Sequence, residues 1–151
     1  MPSGGSNFTI ENARRILDDV FAPWIKDLAL RIESITEYTV ADAAEPYPAA
    51  RLRMPFSERL CRDNGVVCGQ ALMAFADTAM VIALVAANGG YRPMTTVDQT
   101  THFMRPAASC DVLADARAMR LGRTMSFGRV TLSSAADGKP VAMVSSAFAM
   151  L

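Results

Sequence analysis

Cysteine and histidine are scarce in this sequence, and their scarcity argues against several kinds of site. The 151 residues include three cysteines, at positions 61, 68 and 110, and one histidine. The cysteines are odd in number and widely spaced, without a Cys-x-x-Cys pair, so they indicate neither a zinc site nor a disulfide framework. Unpaired thiols are typical of a reducing compartment, and we expect a cytoplasmic protein.

The single histidine does not indicate a metal centre. His102 and Asp98 are four residues apart and would share one face of a predicted strand. Two side chains make a poor metal site. The sequence therefore predicts no metal ion, and it predicts a histidine that is solvated or hydrogen-bonded.

An excess of charge of either sign is also missing. Lys plus Arg number 15, and so do Asp plus Glu. This balance gives no electrostatic basis for binding nucleic acid or an anionic membrane surface. A chain with 51% hydrophobic and 20% charged residues is typical of one globular domain, here over residues 1–151. Because a neutral surface favours self-association, we expect an oligomer.

No stretch of the sequence indicates a membrane span. Residues 71–87 form the longest apolar run, but this run is short and contains Asp77. The sequence Asn88-Gly-Gly after it would end a helix. The first residues, MPSGGSNFTIEN, lack the basic-then-apolar order of a signal peptide. We therefore interpret residues 71–87 as part of a core helix.

The spacing of apolar residues predicts an α+β fold. Residues 1–6 are expected to be a flexible leader, and residues 7–25 an N-terminal helix capped by Asn7 or Thr9. A mixture of β-branched and charged residues then predicts a partly exposed strand within 30–40, and alternation predicts a strand at 51–56. Four extended segments separated by turn signals follow the central helix and predict an antiparallel meander, at 94–104, 111–121, 125–134 and 140–150. One antiparallel sheet wrapped around the buried helix would satisfy this order.

Two residues of the central helix have the chemistry of a site. Gly69 would lie at the first turn, where backbone N–H groups lack intrahelical partners and the helix dipole is positive. A carbonyl oxygen held there would be stabilised as an oxyanion. Asp77 lies eight residues later, which is roughly 12 Å along the axis. If the pair is catalytic, Gly69 must meet Asp77 of a second, antiparallel copy, and the site belongs to a dimer.

Both residues also have ordinary structural interpretations. Asp77 could cap a break in the helix, or face a small polar pocket and pair with an arginine. Gly69 could simply be a glycine at the start of a helix.

Several segments resemble one family. The segment Val67-Cys-Gly-Gln-Ala-Leu-Met-Ala-Phe-Ala-Asp-Thr-Ala79 resembles the helix start of hot-dog-fold acyl-CoA thioesterases of the phenylacetate-degradation (PaaI) type, which show His-Gly-Gly and then Leu-Ala-Asp-Thr-Ala. Residues 95–107, TTVDQTTHFMRPA, are similar to the family strand that ends in Phe-x-Arg-Pro. The resemblance covers about residues 50–151. It implies a hot-dog fold.

The resemblance also implies roles for particular residues. Asp77 matches the catalytic acid, and Gly69 matches the glycine whose N–H polarises the thioester carbonyl. Thr96 falls where relatives have a Ser or Thr that positions water, and Asn64 lies near the place of an Asn that contacts the base or the water. Two positions depart from the pattern, because Cys68 replaces the histidine and Gln70 replaces the second glycine.

Further residues are candidates for contacts with an acyl-CoA. Arg105 and Arg123 would end or join strands, where a guanidinium can bind a phosphate of coenzyme A, although a solvated turn arginine is the alternative. Phe75 and Val81, with Met80 and Leu84, are candidates for an acyl pocket, and each also suits a plain core.

The sequence and the resemblance together predict an acyl-CoA thioesterase. Asp77 would act as general base or as nucleophile, in a homodimer with shared sites and further in a homotetramer, with no cofactor beyond the coenzyme A of the substrate. One alternative is a non-catalytic module that binds an acyl-CoA or an acyl carrier. Another is a hot-dog hydratase or dehydratase, although this chain has no histidine near the helix start. A Cys68 nucleophile is a third, without a nearby histidine to support it.

Overall fold

The secondary structure follows the predicted order closely. A computed structural model describes residues 8–151, so the leader predicted at 1–6 and the candidate cap Asn7 lie outside the described residues. The helices are α1 (Ile10–Asp19) and α2 (Gly69–Ala87), and the strands are β1 (Arg31–Tyr38), β2 (Tyr47–Met54), β3 (Met94–Phe103), β4 (Val112–Leu121), β5 (Met125–Ser134) and β6 (Pro140–Met150).

The N-terminal helix is shorter than the predicted span of 7–25. Thr9 caps it as expected, in a capping box with Asn12. The α-helix ends at Asp19, and a separate 3₁₀-helix covers Pro23–Leu28. The physical reason is Pro23, which has no N–H to continue the ladder and forces Ala22 into an extended conformation (φ −55°, ψ 144°).

The strand β2 begins earlier than the predicted segment 51–56. It starts at Tyr47, and Pro48 lies within it opposite Glu37 of β1. Pairing of β2 with β4 begins only at Ala49. Pro48 therefore lies where the strand has one neighbour, a place in a sheet that tolerates proline.

The sheet is antiparallel throughout, in the order β1-β2-β4-β5-β6-β3. The predicted meander is correct for β4, β5 and β6, but wrong for β3, which pairs with β6 at the far edge. Turn signals indicate that a chain reverses, but they do not identify its new neighbour. The link from β3 to β4 passes the start of α2, where the Val67 N–H donates to the Ala107 carbonyl (2.9 Å).

The helix α2 lies against the inner face of this sheet and contributes more buried residues to the core than any strand does. It ends at Ala87, as the sequence Asn88-Gly-Gly predicted, and Gly89 takes a left-handed φ of 71°. Within residues 8–151 it is also the one helix long and apolar enough to cross a membrane, yet 67% of its most apolar window is buried inside the protein. Large fully buried side chains from α2 and the sheet include Phe75, Met80, Ile82, Leu84, Leu52, Leu132 and Phe148.

The helix α2 packs closely on the sheet at Gly128 of β5. A Cβ built on Gly128 would lie 2.1 Å from the sulfur of Met80, which is fully buried. Glycine at this inward-facing position therefore sets how near the helix approaches the strand.

We expect Gly128→Ala to lower the free energy of unfolding by about 1–3 kcal/mol, because Met80 must move within a filled core. Gly90→Ala is the matched control, since a Cβ there meets nothing within 4 Å, and it should change stability by less than about 0.5 kcal/mol. Urea titration measures both variants. Equal stabilities would mean that the core accommodates the methyl group.

Candidate active site

A β-bulge in β3 turns three side chains toward α2. The register with β6 shifts between Thr96 and Asp98, so Val97 is the extra residue. Thr96 lies opposite Phe148, and after the bulge Gln99 lies opposite Ser146. Both partners on β6 are buried, and directly opposed residues share a face. Thr96, Gln99 and the later Phe103 therefore all point to the helix side of the sheet.

These side chains contact α2 at three positions separated by four residues. The Thr96 hydroxyl donates to Oδ1 of Asp77 (2.8 Å). The Gln99 Nε2 donates to the backbone carbonyl of Met73 (3.0 Å). The Phe103 ring lies against Gly69. Gly69, Met73 and Asp77 are each about one helical turn apart, so β3 follows a single side of α2.

This side of α2 is the one that the protein leaves least covered. Gln70 and Met73 are exposed, and Asp77 and Val81 are half-buried, whereas most other positions of the helix are buried. These four recur every three or four residues and form one stripe. The stripe explains how an otherwise buried helix carries a carboxylate, because Asp77 lies on the side that faces away from the core.

Asp77 is desolvated but unpaired. Burial raises the pKa of its carboxyl above the ordinary value, and the hydrogen bond from Thr96 partly offsets that rise. None of the ion pairs within residues 8–151 includes Asp77. The helix also runs without a break from Gly69 to Ala87. The two structural interpretations, an arginine partner and a capped helix break, are therefore wrong.

Gly69 is the first residue of α2, as predicted. Its N-cap residue, Cys68, makes no side-chain hydrogen bond to the first turn, so the amides there remain available to a ligand. A cavity of about 500 Å³ opens beside Gly69. It is lined by Arg62, Val66, Val67, Leu72, Phe103, Met104, Arg105, Pro106 and Ala107.

A single copy of the chain does not bring Gly69 and Asp77 together. Asp77 is absent from the lining of the cavity at Gly69. Both residues lie on one unbroken helix, where eight residues span about 12 Å. The distance predicted from the sequence therefore stands, and one reacting atom cannot contact both groups of the same copy.

The remaining predicted residues near the helix start are separate from Asp77 within one copy. Asn64 lies in an exposed turn before α2, with a left-handed φ of 59°. Gln70 is exposed on the uncovered stripe, one residue after Gly69. Cys68 is partly exposed, and its backbone N–H donates to the Leu60 carbonyl (2.8 Å).

The predicted acyl-pocket and phosphate residues divide between core and surface. Phe75 is fully buried among core residues, so its prediction as a substrate contact is not supported within this chain, whereas Val81 lies on the uncovered stripe. Arg105 lines the cavity at Gly69 and donates to the Pro140 carbonyl (2.9 Å). Arg123 lies beyond the opposite end of α2, where its carbonyl accepts from Arg92 (2.7 Å).

Four residues of this region were missed by sequence reasoning. They are Arg62, Met73, Gln99 and Phe103. Two of them had a signal in the sequence, since Met73 is the midpoint between Gly69 and Asp77 and Phe103 begins Phe-x-Arg-Pro. The positions of Arg62 and Gln99 depend on the loop before α2 and on the bulge in β3, which the sequence does not reveal.

Metal-binding groups are not clustered in the part of the chain that the structure describes. Across residues 8–151, no three His, Cys, Asp or Glu side chains lie together in a way that could hold a metal ion. His102 is exposed on β3.

The chain is similar to proteins of known family. The thioesterase superfamily model matches residues 64–141, which include α2 and β3. No curated protein matches the chain. A presumed thioesterase from Silicibacter sp. is 26% identical, with a TM-score of 0.80 over 96% of this chain and 93% of that one.

Two further solved structures are similar in fold. The PaaI protein of the Escherichia coli phenylacetic acid degradation operon is 20% identical, with a TM-score of 0.75 over 94% of this chain and 92% of that one. Zebrafish thioesterase superfamily member 2 is also 20% identical, with a TM-score of 0.73 over 93% of this chain and 94% of that one. The expected hot-dog fold is confirmed.

The desolvated carboxyl of Asp77 should make the free energy of unfolding depend on pH. Because burial raises the pKa of Asp77, the folded state binds more protons than the unfolded state above pH of about 4, and the free energy of unfolding falls as pH rises. Asparagine cannot ionise, so we expect Asp77→Asn to have a higher Tm than the wild type, with a difference that grows upward from pH 4.

Thermal unfolding between pH 4 and 8 measures this difference. Asp98→Asn is the control, since Asp98 is an exposed carboxylate on β3, the strand whose Thr96 donates to Asp77. A Tm difference for Asp77→Asn that does not change with pH would contradict the assignment of Asp77 as a desolvated acid.

Proposed function

The chain belongs to the thioesterase superfamily, and from this membership we propose that it hydrolyses the thioester of an acyl- or aryl-coenzyme A to the free acid and coenzyme A. One observation carries the proposal. A desolvated carboxylate, Asp77, lies beside the hydroxyl of Thr96 on the uncovered stripe of the central helix, and it has no ion-pair partner among residues 8–151. A group kept in this state suits a general base better than it suits a structural role.

The proposed site needs two copies of the chain. A reacting carbon must lie about 3 Å from both the base and the oxyanion donors, and Gly69 and Asp77 of one helix are too far apart. Two antiparallel copies of α2 would place Gly69 beside the partner's Asp77, and would do so twice by symmetry. The homodimer is therefore part of the proposed mechanism.

The exposed surface supports the same pairing. Met73 lies midway between Gly69 and Asp77, so in such a dimer it would face its own copy at the two-fold axis. Its exposed fraction is 40%, and that of Val97 on the neighbouring strand is 56%. The strand β3 is at the edge of the sheet, and an open edge with apolar side chains is a surface that proteins normally cover.

The proposed chemistry follows from the charges at this junction. The Gly69 N–H, with the positive end of the α2 dipole behind it, would hold the thioester oxygen. The partner's Asp77 would take a proton from water as the water oxygen adds to the carbonyl carbon. The carbon–sulfur bond then breaks, and the thiolate takes up the proton. The same placement also allows direct attack by the carboxylate, in which case water hydrolyses the resulting anhydride.

Neighbouring side chains would assist in defined ways. Thr96 holds the carboxylate by its hydrogen bond and would orient it toward the water. Gln70 adds an exposed amide within the first turn of α2, as a further donor beside Gly69. Asn64 remains a candidate for a water contact from the turn before the helix, and Cys68 for a contact with the substrate.

The coenzyme A portion of the bound substrate would extend from the reacting carbon into the cavity beside Gly69. Arg105 and Arg62 line this cavity, and guanidinium groups bind phosphate oxygens. In an antiparallel pair, the C-terminal end of one α2 lies near the N-terminal end of the other. The partner's Arg123 would therefore approach the same opening, although the two arginines are at opposite ends of one copy. We further propose that the enzyme is cytoplasmic and that two dimers form a homotetramer.

Removal of the acid should abolish hydrolysis. We expect Asp77→Ala to reduce thiol release from a panel of acyl- and aryl-coenzyme A esters by about 10²–10⁴-fold, since a positioned general base contributes on that order. Asp98→Ala removes an exposed carboxylate from β3 and should retain activity. Circular dichroism should be unchanged in both variants.

Three outcomes would count against this function. Full turnover by Asp77→Ala would exclude the assigned base. Esters that raise the Tm of the wild type without any hydrolysis would indicate a binding module. An absorbance change on an enoyl-coenzyme A without free thiol would indicate a hydratase.

The dimer can be tested by cross-linking at the proposed axis. We expect Met73→Cys to form a disulfide-linked dimer on mild oxidation, because each new thiol would face its own copy. Val20→Cys is the matched control, since Val20, the residue after α1, has the same exposed fraction of 40%. Non-reducing electrophoresis measures the product. If Met73→Cys formed no more disulfide-linked dimer than Val20→Cys, the antiparallel pairing would be contradicted.

A further inference from the structure

We propose that Phe103 is a substrate-binding residue, whose ring forms the wall against which the thiol arm of the thioester packs beside Gly69. This inference rests on the proposed function. It adds a specificity determinant that acts on the leaving group and not on the acyl group.

The placement of Phe103 is unusual for an inward-facing residue. It lies opposite Ala142, which is fully buried, and so points to the helix side of the sheet. Even so, 52% of its surface is exposed. The reason is its position at the last residue of β3, level with the first residue of α2. The ring therefore faces the cavity beside Gly69 and not a packed core.

The tip of the ring is fitted to the glycine. A Cβ built on Gly69 would lie 3.1 Å from Cζ of Phe103, 3.4 Å from Cε1 and 3.7 Å from Cε2. The nearest atoms are thus at the far end of the ring. The gap between Gly69 and the ring is too narrow for a methyl group at an ordinary contact distance. Any group held by the amides of this turn has the ring as its immediate apolar neighbour.

The surroundings indicate which part of the substrate meets the ring. The lining of the cavity includes two exposed arginines, Arg62 and Arg105. One N–H of Arg62 pairs with Asp63 and one of Arg105 with a carbonyl, and the remaining guanidinium donors suit the phosphates of coenzyme A. The opposite direction along α2 leads to Met73 and the proposed dimer axis, where the acyl group would be enclosed. Phe103 lines the first of these spaces, so its contact is with the sulfur and the methylene groups next to it.

The test compares Phe103→Ala with Phe127→Ala, a control that removes another partly exposed phenylalanine (40%), on β5. We expect Phe103→Ala to weaken binding of free coenzyme A, measured by calorimetry, by about tenfold, because the lost contact is of the order of 1.4 kcal/mol. The KM should rise by the same factor for a short acyl ester and an aryl ester alike, with kcat within about twofold. Phe103→Leu should recover part of the loss.

Two results would overturn the inference. Unchanged coenzyme A binding in Phe103→Ala would show that the ring does not contact the thiol arm. A KM that rises for one acyl group and not for the other would show that the ring contacts the acyl group instead. The calorimetry uses coenzyme A alone and does not depend on turnover. If the wild type hydrolysed no ester and Phe103→Ala still bound coenzyme A more weakly, the role of Phe103 would stand and the proposed hydrolysis would be rejected.

The fit between the ring and the glycine provides a second test. Phe103→Tyr adds an oxygen at Cζ, the atom nearest Gly69, and should lower kcat/KM more than Phe103→Leu does. Gly69→Ala should also lower kcat/KM, and Phe103→Leu combined with it should restore part of the loss, since the shorter side chain yields to the methyl group. Independent effects of the two substitutions would contradict the steric fit.

Discussion

The contact between β3 and one side of α2 is the constraint on which the rest of this structure depends. Three side chains of the strand contact the helix at Gly69, Met73 and Asp77. The bulge at Val97 makes these contacts compatible, because strict alternation from Thr96 would turn the following odd-numbered side chains toward the other face. The strand is thereby held at a fixed position along the helix, with one contact at Gly69, one at Met73 and one at Asp77.

This arrangement also explains how one helix can be a core element and still carry the candidate site. Most of its surface is buried against the sheet, which fixes its position firmly. The stripe that β3 only partly covers carries the carboxylate, where burial raises its pKa and the Thr96 hydroxyl keeps it oriented. The desolvated carboxylate of Asp77 costs stability, and carboxyl groups with perturbed pKa values are common at functional sites.

The length of one helix, and not the chemistry of any residue, leads to the proposed dimer. Two groups on one rigid helix cannot approach each other, since an α-helix of eight residues has a fixed length of about 12 Å. In an antiparallel pair, Gly69 of each copy would lie beside Asp77 of the other, at two equivalent places. The same operation would cover the exposed edge of β3 and bring basic residues from opposite ends of the chain to one opening.

The sequence by itself determined the local features. Turn residues and alternation placed the last four strands to within one residue. The start of the central helix at Gly69 and the carboxylate of Asp77 within that helix also followed from the sequence. Other features depended on tertiary structure. The strand β3 joined β6 and not β4, Phe75 entered the core, and Phe103 came to lie beside Gly69. Turns and periodicity are read from near neighbours in the chain, whereas strand order, the bulge and the choice of buried side chains are decided by how distant segments share one core.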